Sequence, residues 1–107
     1  MLSIYTPTRN SPHWQSSEVK IINGFLVRFS DVCVHEFSIA DSEEPDLYAA
    51  EPLYEWQTSD AGTWVIANAV STPYWISQID YTSYQHEYKI IARISALNET
   101  FWRLKWT

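Results

Sequence analysis

The sequence predicts an α+β domain, an antiparallel β-sheet of about five strands with one main helix packed across one face. Three observations carry this. An Asn23–Gly24 pair separates two β-rich runs. A helical periodicity runs from Pro52 to Val70. Two segments in the last third alternate apolar and polar residues.

Residues 1–17 contain Pro7, Asn10, Ser11, Pro12 and the pair Ser16–Ser17, and read as an irregular arm with a short strand at Leu2–Thr6. Trp14 reads as a plug tacking that arm to the core, with a partner anchor as the other reading. Residues 18–107 read as the single domain. Val19–Ile22 and Phe25–Phe29 flank Asn23–Gly24, and a type I′ turn demands positive φ at both central positions, so this is a hairpin. Ser30–Asp31 reads as a second turn or a bulge, and Val32–Ile39 as a third strand.

Asp41–Pro45 is a polar break. Pro52 suits a first helical turn, where its missing N–H costs nothing, and Glu51 and Glu55 lie near the positive end of the helix dipole. Leu53, Trp56, Ala61, Trp64, Val65 and Ala69 follow near-helical spacing. Gly62 weakens this helix by roughly 1 kcal/mol relative to Ala, unless it allows close approach to a sheet. Pro73 ends the run. Tyr74–Tyr81 reads as a strand. Glu87–Ile94 alternates Tyr88, Ile90, Ala92 and Ile94 against Lys89, Ile91 and Arg93. Phe101–Trp106 alternates Trp102, Leu104 and Trp106 against Phe101, Arg103 and Lys105. These two segments read as an antiparallel hairpin, whose polar face would carry Lys89, Arg93, Arg103 and Lys105. Trp64, Ile90, Ala92, Trp102 and Leu104 are the expected core.

Composition narrows the function. The chain has 107 residues, 46% hydrophobic and 16% aromatic, enough for one core and too ordered in composition for disorder. No run approaches the roughly 18 apolar residues of a membrane span, and no apolar leader opens the chain. The expected setting is cytoplasmic, with no membrane contact, though a virion component would look the same. The net charge is −6, and no Lys or Arg occurs between Phe29 and Tyr88, where eleven acids fall. Phosphate binding needs clustered cations, so direct nucleic-acid binding is not expected. The segment Phe101–Trp106 interleaves cations with aromatics, but its tryptophans read as core.

Chemistry-bearing motifs are sparse. Cys33 and His35 lie two apart, on one face of a strand if it is regular, too few for zinc and badly placed as a nucleophile–base pair. His13 and His86 add no ligand spacing, and Cys33 reads as a structural cysteine. Two glycines cannot build a phosphate loop. No catalytic, metal or cofactor residue is assigned. Glu43, Glu44 and Asp46 read as solvated, and the candidate partner-binding set is Asp41, Glu43, Glu44, Asp46, Glu51 and Glu55, an acidic surface for a basic protein.

One resemblance adds provenance. Trp56–Val65, Ala69–Val70, Pro73–Tyr74–Trp75, Tyr88–Arg93 and the closing Thr100–Trp106 resemble a pattern in short uncharacterised proteins of tailed bacteriophages, over roughly residues 44–106. No activity attaches to that family, so no residue roles carry over. The resemblance implies a phage accessory protein. The leading expectation is a non-enzymatic inhibitor docking on a host protein, such as a nucleic-acid-handling defence complex, as anti-CRISPR proteins do. The alternatives are a virion or assembly component acting as a homo-oligomer, for which a homodimer is compatible, and a small enzyme of unrecognised type.

Overall fold

The computed structural model describes residues 17–106, in the order β1 (Ser17–Ile22), β2 (Phe25–Ile39), α1 (Pro45–Thr58), α2 (Asp60–Asn68), β3 (Tyr74–Asp80), β4 (Gln85–Ser95) and α3 (Ala96–Trp106). The expected arm lies outside the described residues except for Ser17, which opens β1; His13 and Trp14 go with it. The four strands form one antiparallel, curled sheet, a half-barrel, in the order β1-β2-β4-β3. The class is therefore α+β, with four strands and three helices where about five strands and one main helix were expected.

The hairpin is where the sequence puts it. Asn23 and Gly24 take φ values of 52° and 83°, and Ile22 pairs with Phe25 across them. Ser30–Asp31 makes no turn, because β2 runs unbroken through it and absorbs the expected third strand. The irregularity falls three residues later. Cys33 pairs with Ile91 and His35 with Ile90, so Val34 is an extra, bulged residue. Consecutive partners on β4 face opposite ways. Cys33 and His35 therefore lie on opposite faces of the sheet, not on one as their spacing suggests.

The bulge serves the core. Tyr88, Ile90, Ala92 and Ile94 line one face of β4 and are completely buried. Val32 and Val34 are buried in the same cluster, which the helices cover with Ala49, Leu53, Trp56, Val65 and Trp102. Phe37 stacks on Tyr88 at 5.2 Å between ring centres.

The expected helix from Pro52 to Val70 is two helices, and it starts earlier. Pro45 occupies the first turn of α1 and Pro52 lies inside it. Proline removes one backbone bond there and strains the turn before it, yet Leu53 and Trp56 beyond it are buried, so packing overrides the break. Ser59 makes the corner. It takes extended angles, its Oγ donates to the Trp56 carbonyl at 2.6 Å, and the same oxygen accepts from the Gly62 amide at 3.0 Å. A Cβ on Gly62 would fall 1.8 Å from the Trp56 carbonyl oxygen. Gly62 thus permits close approach to the end of α1, not to the sheet.

The largest departure is at the end of the chain. Phe101–Trp106 is helix, not strand. Ser95 closes β4 and caps α3 through its Oγ, which accepts from the Asn98 amide at 3.2 Å. Glu99 and Arg103 pair at 2.8 Å one turn apart, and Arg103 and Lys105 sit at the negative end of the helix dipole. Trp102 enters the core, while Leu104 is 83% exposed and leaves the expected core set. Trp64 is only partly buried, against Phe101 and Trp106. The expected face of Lys89, Arg93, Arg103 and Lys105 is divided between a strand and a helix.

Denaturant melts test this packing. Ile90→Ala should destabilise by about 2–5 kcal/mol, whereas Leu104→Ala should move stability by no more than about 0.5 kcal/mol. Gly62→Ala should cost about 1–3 kcal/mol by overpacking the corner. Equal losses at positions 90 and 104 would restore the strand reading of the C-terminus.

Candidate functional site

An α-helix turns once in about 3.6 residues, so a start at Pro45 fixes which way each acid points. Ala49, Leu53 and Trp56 mark the buried face of α1. Glu51 and Glu55 are exposed on the outer face, together with Leu47, Tyr48 and Tyr54. Glu43 and Glu44 are exposed in the turn before the helix, where the Glu44 carbonyl accepts from the Leu47 amide at 3.2 Å. Acids at this end favour the helix dipole. The result is one surface of four carboxylates and three large side chains.

Two members of the sequence-predicted set are employed differently. Asp46 lies toward the sheet, and its Oδ1 accepts from the Tyr88 hydroxyl at 2.6 Å. Asp46 is exposed, as a solvated carboxylate would be, and it is also a tether between α1 and β4. Asp41 stands 3.9 Å from His86 Nε2, at the far ends of β2 and β4. Glu43, Glu44, Glu51 and Glu55 are thus exposed along α1 and the turn before it, while Asp46 and Asp41 contact residues of β4. Leu47, Tyr48 and Tyr54 were missed. Their spacing with Glu51 and Glu55 at three, four and seven residues carries the signal, but only once the helix is taken to start at Pro45.

Tyr88 shows the physical consequence of the tether. Burial, then the hydrogen bond and charge of Asp46, hold its hydroxyl well above the ordinary tyrosine value of 10.0. The donor is a neutral phenol and the acceptor a carboxylate, so the bond is charge-assisted.

Other clusters serve the sheet. On the face away from the helices, Arg93 grips Asp31 in two bonds, Nε to Oδ1 at 2.7 Å and Nη2 to Oδ2 at 3.1 Å, and reaches Glu18 with Nη1 at 2.6 Å. It ties β4, β2 and β1 together. The Asp31 and Glu18 bonds, in that order, raise its guanidinium above the ordinary arginine value. Beside it lies a shallow hollow of about 480 Å³ bounded by Lys20, Val70, Thr72 and Tyr74.

Cys33 is partly buried. Burial chiefly, and then the nearby Glu36 charge, push its thiol up, and its Sγ donates to the His35 carbonyl at 3.5 Å. A thiol held protonated is a weak nucleophile. His86 lies five residues along β4 from the partner of Cys33, about 16 Å away at strand rise, so it does not serve as the base. His35 stacks on Trp56 at 6.3 Å, and burial lowers its basicity. Among the described residues no three His, Cys, Asp or Glu side chains converge as a metal site requires.

The tether yields a pH prediction. A folded Tyr88 holds its proton more tightly than an unfolded tyrosine. Its contribution to stability is therefore complete below about pH 10 and is lost as pH rises through the higher folded value. Tyr88→Phe should cost about 1–3 kcal/mol at neutral pH and flatten the alkaline fall in stability, read from urea midpoints across a pH series. An unchanged alkaline limb would assign that fall to other groups.

Comparison of the chain with family models, with curated proteins and with solved structures finds no match.

Proposed function

We propose that this protein is a non-enzymatic phage accessory protein that binds and inhibits a host protein bearing a basic surface, in the manner of an anti-CRISPR protein acting on a nucleic-acid-handling defence complex. The docking surface is the outer face of α1 with the turn before it. One observation carries the reading: Glu43, Glu44, Glu51 and Glu55 are exposed on α1 and the turn before it, as are Leu47, Tyr48 and Tyr54, and the chain from Phe29 to Tyr88 supplies no Lys or Arg to offset them.

The chemistry suits a helix laid into a groove. Anchors of that mode recur three, four and seven residues apart on one helix face, and Leu47 and Tyr54 stand seven apart. Tyrosine gives contact area at low entropic cost and keeps a hydroxyl for the rim. The carboxylates add orientation and speed of encounter with a basic surface. The phage provenance rests on the resemblance of residues 44–106 to phage proteins. A second reading, a virion or assembly component that works as a homo-oligomer, is favoured by the position of β1 at the edge of the sheet among the described residues.

The test begins with recovery of the partner from host lysate, followed by association rates across a salt series. Reversing Glu43, Glu44, Glu51 and Glu55 to Lys should slow association and flatten its salt dependence, because exposed charges are screened within about 8 Å at physiological ionic strength. Tyr54→Ala should instead speed dissociation, by roughly tenfold or more if Tyr54 is an anchor. Asp46 is left intact so that the fold keeps its tether. Rates and salt slopes equal to wild type in the reversal variant would make the acids a solvated face and remove this proposal.

A further inference from the structure

The edge of the sheet at β1 points to a second copy of this chain. The helices pack on β2 and β4, and the β1–β2 hairpin runs beyond them. Ile21, Phe25 and Leu26 are each about three-quarters exposed and Val19 about half. In a two-residue hairpin the closing pair exchanges both backbone bonds, so Ile22, Lys20 and Glu18 direct their backbone groups toward β2. Ser17, Val19 and Ile21 direct theirs outward, toward the side of β1 that no other described strand occupies.

We propose that two copies join antiparallel along β1, with Val19 on the two-fold axis. A two-fold that relates two antiparallel edge strands stands perpendicular to the sheet. It keeps both helix layers on the same side and pairs residues whose numbers sum to an even value. The charges on β1 then discriminate among registers. Centring on Glu18 or on Lys20 sets like charges directly opposite, which is unfavourable. Centring on Ile21 shortens the ladder to Lys20–Ile22. Centring on Val19 sets Glu18 opposite the partner's Lys20, and Lys20 opposite the partner's Glu18, with Val19 against the partner's Val19. Ser17 pairs with the partner's Ile21, giving about six new backbone bonds from three hydrogen-bonded pairs.

The charges are already poised for this. Within one protomer Lys20 Nζ lies 3.9 Å from Glu18 Oε1, and the same oxygen takes the Arg93 contact at 2.6 Å. Asp31 shares Arg93, and with Lys20 the cluster is neutral, so in the dimer each Lys20 exchanges its long contact with its own Glu18 for the Glu18 opposite it without unbalancing the charge. An exposed edge strand that carries a lysine is ordinarily protected from pairing. Here the opposite charge two residues away turns that protection into register selection. The joined sheets would form one eight-stranded sheet, and Val19 and Ile21 would continue the helix-side apolar face across the seam. This inference does not rest on the docking face of α1, which lies on a different element.

Sedimentation from micromolar to submillimolar concentration tests it, on the full chain. The wild type should pass from monomer to dimer. Lys20→Glu sets glutamates opposite one another and should weaken the dimer roughly tenfold or more. Val19→Pro removes an outward-facing donor and spares the bonds to β2, so it should stay monomeric with an unchanged circular dichroism spectrum. In a Cys33→Ala background, Val19→Cys should cross-link on oxidation, since paired Cα atoms lie about 5.5 Å apart. Ile21→Cys should not, because the two copies of that residue would stand about 13 Å or more apart. A monomer at every concentration overturns the proposal, as does a Lys20→Glu dimer of wild-type strength or equal cross-linking at position 21. Exchange-protected Val19 and Ile21 amides in a monomer would mean that the chain's own first 16 residues hold the edge, and also overturn it.

Discussion

The row Tyr88, Ile90, Ala92 and Ile94 on β4 is the constraint to which the rest of this structure answers. All four are completely buried on the second of the two central strands, and each large member contributes on the order of 1.5–3 kcal/mol by leaving water. Three helices supply the cover, through Ala49, Leu53 and Trp56 of α1, Val65 of α2 and Trp102 of α3. β2 meets the row only by bulging at Val34, which keeps Val32 and Val34 in the core and then returns His35 and Phe37 to the same side. A regular β2 would carry one of these two groups to the opposite face.

Covering that row determines what remains outside. The helices end where the core ends, so the hairpin of β1 and β2 extends past them and keeps Ile21 and Leu26 on the uncovered stretch of the helix-side face. The outer side of α1 has no layer above it among the described residues and presents Leu47, Tyr48 and Tyr54. Both features leave apolar area in water at a cost in solubility. Each is bounded by charge, carboxylates alone around α1 and one Glu–Lys pair along β1. The two surfaces thus differ in kind, one bearing only carboxylates and the other both signs of charge.

Polar groups inside the fold are used to fix elements against each other. Ser59 joins the end of α1 to the start of α2, Asp46 joins α1 to β4, and Arg93 spans three strands. The uneven distribution of acids therefore serves two purposes. Asp31, Glu18 and Asp46 have partners of stated geometry, and Glu43, Glu44, Glu51 and Glu55 face outward. An acid count along the chain does not separate these groups, since the separation depends on which side of a helix or strand each carboxylate occupies.

The sequence by itself determined the local geometry wherever one residue type admits one conformation. Asn23–Gly24 required positive φ and gave the hairpin, and the period-two row of β4 gave a half-buried strand with the correct face inward. It also determined that the chain from Phe29 to Tyr88 carries no Lys or Arg, and so marked the acidic surface. What only the tertiary structure decided were the choices that local signals leave balanced. Phe101–Trp106 satisfies strand alternation, but Ser95, Glu99 and Arg103 satisfy a helix, and the packing of Trp102 on β2 and β4 settled it. Pro52 signals a helix start to the local backbone, yet burial of Ala49 on one side of it and Leu53 on the other carried α1 through. The exposed outer face of α1 was hidden for that reason: with the helix read from Pro52, Leu47 and Tyr48 had no side in common with Glu51 and Glu55. Faces are properties of elements, and element ends were fixed here by contacts between residues far apart in the chain, which no local window contains.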